Sequence, residues 1–168
     1  MFQNIDDNKM QISKLSLIIL LTFSSLTYSA CNDLKAKIDN IKQYQMNHII
    51  KRCQKDFGYS DKDMIILEQE LKRYLTLVIL RNEPFGMFSE DVDNLWHTFI
   101  LFTKEYAEFG QNFAGKFLHH IPELDDTRSP EKLVEGRKQF SSFLQAYKET
   151  FGIEAHNIWF LDMCSKKP

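Results

Sequence analysis

Apolar residues recur at intervals of three and four along most of the chain after residue 30, and no stretch of useful length alternates with period two. The pattern therefore predicts helices and no strands. Leu34, Ile38, Ile41, Gln45, His48, Ile49 and Cys53 mark one face of a long first helix that ends near Gly58. Ser60 has the character of an N-cap, with Asp61 and Asp63 in the first turn where the helix dipole favours negative charge. It opens a second helix through Ile65, Leu67, Leu71, Tyr74, Leu75, Val78 and Ile79, whose end is apolar nearly all round and belongs mid-core. Pro84 and Gly86 break that helix, and Ser89 caps a third that is expected to reach about Phe109, with Gly110 as its C′ residue. A connection containing Gly115 and closed by Pro122 leads into a polar loop from Glu123 to Ser129. Pro130 then takes the first position of the last long helix, where its missing N–H costs little. That helix presents Leu133, Phe140, Phe143, Leu144, Tyr147 and Phe151 before Gly152 stops it, and Ile153 to Met163 follows as an apolar flap. The expected fold is all-α, a single compact bundle of about four main helices.

Before this domain, residues 15–26 form an apolar run preceded by Lys14 and followed by Thr27-Tyr28-Ser29-Ala30-Cys31. That order has the n-, h- and c-regions of a secretory signal peptide and is short for a membrane span. Asp6 and Asp7 conflict with a positive n-region, an objection that a start at Met10 removes. The division expected is 1–30 as signal peptide or N-terminal apolar helix and 31–168 as one helical domain. Export is the expected localisation: periplasmic, secreted, or anchored by a lipid on Cys31, although Tyr28 stands where a lipoprotein signal usually has Leu. The alternative is a cytoplasmic protein with the N-terminal helix packed on the domain. Membrane contact is expected only through this segment or its lipid. Cys53 and Cys164 then remain, either as a disulfide in an oxidising compartment or as two free thiols.

A formal net charge of −2 argues against a dominant phosphate-binding surface, so no nucleic-acid partner is expected. The chain also lacks a Gly-x-Ser-x-Gly elbow, a phosphate-binding glycine loop, a dinucleotide fingerprint and a His-Glu-x-x-His helix. What remains is concentrated in one stretch. Asp93 and His97 lie four apart, which stacks them on one helix face, and Tyr106, His119 and His120 follow within a short distance. Asp93, His97 and one of the two later histidines, with His119 favoured, meet the three-ligand count of a catalytic zinc site, and iron or manganese suits the same donors. The competing reading is a structural network in which Asp93 only orients a core His97 and the Tyr106 hydroxyl finds a partner among them. Because His119 and His120 sit in an extended segment before Pro122, only one of them is expected to join. Trp96, Phe117 and Trp159 belong to a dense aromatic series that reads as core or as the floor of a ligand pocket.

The run Val92-Asp93-Asn94-Leu95-Trp96-His97, then Tyr106, then Gly115-Lys116-Phe117-Leu118-His119-His120-Ile121-Pro122, resembles bacterial members of the glycine-rich domain-containing protein-like family. Glu70 to Leu77 upstream, and Phe151-Gly152 and Ile158-Trp159 downstream, extend the resemblance over roughly residues 45 to 160. It implies a shared helical core and a shared site, with no general activity to carry over. The glycine-rich tail of the plant members has no counterpart in a chain with 6 Gly.

Two functions follow as expectations. The first is a small helical binding or interaction module, acting on a protein or small-molecule partner, with a buried Asp93, His97 and Tyr106 network. The alternative is a metal-dependent enzyme, hydrolytic in chemistry, using Asp93, His97 and His119.

Overall fold

The computed structural model describes residues 28–82, 85–121 and 130–161, and among these every regular element is a helix. The signal segment and the start at Met10, Pro84, Pro122, the loop at 123–129 and Cys164 lie outside the described residues. The chain divides into two compact units, 1–40 and 41–168. A first helix, α1, covers residues 28–43, of which 28–40 belong to the first unit and carry an exposed Cys31. No described helix is long and apolar enough to cross a membrane.

The second unit continues with α2 (Asn47–Phe57), α3 (Asp61–Arg81), α4 (Glu90–Leu101), α5 (Thr103–Ala114) and α6 (Pro130–Phe151), then a short 3-10 turn at Asn157–Trp159. The single long helix expected up to Gly58 is interrupted at 44–46, where Tyr44 N–H bonds back to Ile41 O and Met46 leaves helical geometry. On an unbroken helix Ile41 and Met46 would lie about 140° apart. The break lets both reach the core, and both are buried along with Ile49 and Cys53. The Cys53 thiol is free, and burial pushes it up, so it packs as a small neutral apolar group.

The caps of α3 follow the expectation in detail. Asp63 N–H donates to Ser60 Oγ while Ser60 N–H donates to Asp63 Oδ2, a reciprocal capping box. Ser60→Ala is expected to cost about 1 kcal/mol, read as a shift in urea midpoint with an unchanged slope. At its other end α3 stops at Asn82, a left-handed residue with φ 52°, while Gly58 and Gly152 sit at positive φ where α2 and α6 stop.

The third helix departs from expectation more strongly. It breaks at Phe102 (φ −84°, ψ 60°), and Gly110, expected as its C′ residue, is instead a buried position inside α5; Gly115 supplies the left-handed cap. Over ten residues of unbroken helix, Trp96 and Tyr106 would be separated by about 15 Å along the axis. The turn at Phe102 folds α5 back, so that Trp96 Nε1 donates to Tyr106 Oη at 3.0 Å and Phe99 meets Tyr106 and Phe109 edge-on.

Candidate functional site

The site starts from α4. Ser89 accepts from Val92 N–H at its N-terminus, and Val92, Leu95, Trp96 and Phe99 turn inward. This orientation leaves Asp93 and His97 together on the half-open edge of the helix, their side chains 25% and 49% exposed. His97 Nε2 stands 3.6 Å from Asp93 Oδ2, too long for a hydrogen bond.

The third member comes from the segment after α5. Two features draw that segment onto the bundle. Gly110 has no Cβ, and one built there would stand 2.7 Å from Lys116 O and 3.3 Å from Leu118 N. Tyr106 Oη donates to Leu118 O at 2.7 Å, having accepted from Trp96. Leu118 is therefore buried, and along the same segment His119 is exposed while His120 is largely buried, so His120 shares the inward side of Leu118. His120 Nε2 lies 2.9 Å from Asp93 Oδ1, and its side chain is only 9% exposed. His119 is exposed and meets the half-exposed Phe117 instead. The favoured choice of His119 is thus replaced by His120. Leu118 carried the signal, but Phe117 beside it is equally apolar and supports the opposite phase.

Asp93, His97 and His120 each offer one donor atom, all within 4.8 Å of one another. The His120 ring stacks on Trp96 at 4.2 Å and 16°, and on His97 at 4.6 Å and 14°. The Asp93 carboxylate thus faces two Nε2 atoms, one on each oxygen. That donor set suits a divalent ion of the zinc, iron or manganese kind, with positions left open for water.

Tyr106 takes a different part from the one expected. Its hydroxyl is committed to Trp96 and Leu118, and burial pushes the phenol up, so it stays protonated and anchors the segment that presents His120. Trp159 also lies apart from the three donors. It is fully buried and donates from Nε1 to Glu70 Oε2 at 2.6 Å. Glu70, itself 1% exposed, further accepts from Tyr147 Oη at 3.0 Å and from Arg73 at 2.6 Å. Sequence reasoning gave this carboxylate no role, although its place among Leu67, Leu71 and Tyr74 on the apolar stripe of α3 was a usable sign. Tyr74 joins the two groups by ring contacts to Trp96 at 5.3 Å and Trp159 at 5.9 Å. A separate cleft of about 340 Å³ is lined by Tyr59, Asp63, Asp91, His156 and Ile158 among others, and by none of Asp93, His97 or His120.

Among the described residues the fold is all-helical, and α4 together with the segment returning after α5 gathers two imidazoles around one carboxylate. The family model described as UCP032817-like matches residues 36–145, a span holding all three donors, and the chain belongs to that uncharacterised family. This corrects the resemblance to the glycine-rich domain-containing protein-like family, which the match does not support. No curated protein and no solved structure matches the chain.

Proposed function

We propose that the protein binds a divalent metal ion through Asp93, His97 and His120 and uses it to polarise water or a ligand in hydrolytic chemistry. The observation that carries the reading is the convergence of three ligand-type donors within 4.8 Å on a half-open edge, drawn from two separate parts of the chain. A bound ion of this kind would supply Lewis acidity and, were it zinc, would lower the pKa of a bound water to about 7. The chain's own part is to hold His120 by stacking on Trp96 and by the Tyr106 bond to Leu118 O, and to keep Asp93 and His97 one turn apart on α4.

A second reading is a metal-free binding module for a protein or small-molecule partner. The near-parallel stack of His97 on His120 favours it, because stacked rings with a carboxylate at their Nε2 edges are also a stable polar network. Export rests on the 14–31 pattern alone and stays a proposal beside either reading.

Elemental analysis by plasma mass spectrometry on the full chain, purified without chelator beside His120→Ala, separates the two. The metal reading expects about one zinc, iron or manganese per chain in the parent and none in the variant, with helical circular dichroism retained in both. Absence of metal from the parent, with the variant destabilised, leaves the polar network.

A further inference from the structure

We infer that the ion is captured in two steps, first by a fixed Asp93 and His120 pair and then by His97, which must turn out of its stack to close the site. The inference rests on the metal reading above and adds the order and the moving part. His120 is held at several points: its ring lies on Trp96, its side chain is almost wholly buried, and the chain just before it is tied by Tyr106 and pressed against Gly110. His120 Nε2 and Asp93 Oδ1 are already 2.9 Å apart, a spacing that an ion can bridge with a small spread of the pair. His97 is held far less. About half its side chain meets solvent, its Nε2 is beyond hydrogen-bond range of Asp93, and its closest ring contact is His120 itself.

The ring planes settle which residue moves. An imidazole coordinates along a lone pair that lies in its own plane, so an ion shared by two imidazoles must lie where their planes intersect. Planes inclined by only 14° meet far beyond the reach of a zinc–nitrogen bond of about 2.0–2.1 Å. One ring has to rotate. Rotating His120 would break the Trp96 stack and its contact with Asp93, whereas rotating His97 sacrifices only the outer face of the stack. A helical histidine one turn from Asp93 has staggered side-chain rotamers available for this without backbone movement.

The test is a zinc titration of the full chain carrying ¹³C,¹⁵N-histidine, followed by imidazole cross-peaks assigned with His97→Gln and His120→Gln. Metal-free protein should show both rings shifted upfield by mutual ring currents. Zinc should move the His97 signals downfield to unstacked positions while His120 keeps its shielding from Trp96. In buffered zinc, His97→Ala should bind at least about 100-fold more weakly yet measurably, because a direct ligand is worth more than the roughly 10–100-fold lost with an outer-shell partner. His120→Ala should show no measurable binding. Zinc binding with the stack signature unchanged overturns the two-step capture and leaves the metal reading standing, whereas equal affinity in parent and His97→Ala overturns the capture and removes His97 from the ligand set. No zinc binding by the parent overturns both.

Discussion

Glu70→Ala is expected to lower the free energy of unfolding by about 3–5 kcal/mol, the range for removing one partner of a buried ionic group. The Glu70 carboxylate is a shared acceptor for three donors from separate parts of the fold: Arg73 on α3, Tyr147 on α6 and Trp159 in the C-terminal 3-10 turn. Without it the Trp159 N–H and Tyr147 O–H remain in a dry interior with no carboxylate to accept from them, and each such orphan costs about 1–3 kcal/mol. Arg73 contributes less to the loss, because 31% of its side chain stays in water and can be rehydrated. Burial, reinforced by the Glu70 charge, pushes the Tyr147 phenol above its ordinary range, so it acts as a donor throughout the working pH range. Glu70→Gln keeps one acceptor oxygen but places an NH2 against donors, and is expected to cost about 1–3 kcal/mol. Urea unfolding followed by tryptophan fluorescence measures both. A loss below about 1 kcal/mol for Glu70→Ala would show that ring packing of Trp159 on Tyr74 and Phe143, and not the carboxylate, holds the C-terminal turn.

How much of this was legible beforehand varied with the kind of signal. Helix ends marked by local chemistry were readable: Ser60 and Ser89 cap α3 and α4, and Gly58 and Gly152 end α2 and α6, because a hydroxyl or a missing Cβ acts within a few residues. The breaks at 44–46 and at Phe102 carry no glycine or proline. They exist because tertiary packing gains from burying Met46, and from folding Tyr106 back toward Trp96, more than a continued helical ladder would supply. At Phe102 periodicity cannot register that gain, since Phe99, Phe102, Tyr106 and Phe109 keep the three-and-four spacing across the break, and at 44–46 the sign is limited to Met46, out of phase with Ile41. The pairing of Asp93 with His97 was visible as a one-turn spacing, whereas the choice between His119 and His120 depended on whether Phe117 or Leu118 faced inward. Glu70 carried a sign in its place on the apolar stripe of α3, but an ambiguous one, since an acid there reads equally well as the edge of that stripe.

Gly110→Ala is expected to abolish the three-donor cluster while leaving the helices in place. A Cβ at this position meets backbone atoms of Lys116, Phe117 and Leu118, the nearest at 2.7 Å, so relief cannot come from a flexible side chain. The returning segment has to move outward, and the Tyr106 bond to Leu118 O is the first contact to lengthen. His120 follows two residues later and leaves both Trp96 and Asp93. Against this stands the intrinsic preference of a helix for Ala over Gly, about 1 kcal/mol. Overpacking against backbone typically costs about 1–3 kcal/mol, so the net stability change is small or moderately unfavourable. The local consequence is larger than the global one: on the metal reading, displacing His120 should weaken zinc binding by at least about 100-fold, the upper end for lost supporting contacts, and toward the loss expected of His120→Ala. Gly136→Ala on α6, where a Cβ meets nothing within 4 Å, serves as the control and should leave affinity unchanged. Circular dichroism and a buffered-zinc titration of both variants decide the matter. Parental affinity in Gly110→Ala would mean that the 116–118 backbone is held with slack, and that His120 owes its position to the ring stack on Trp96 alone.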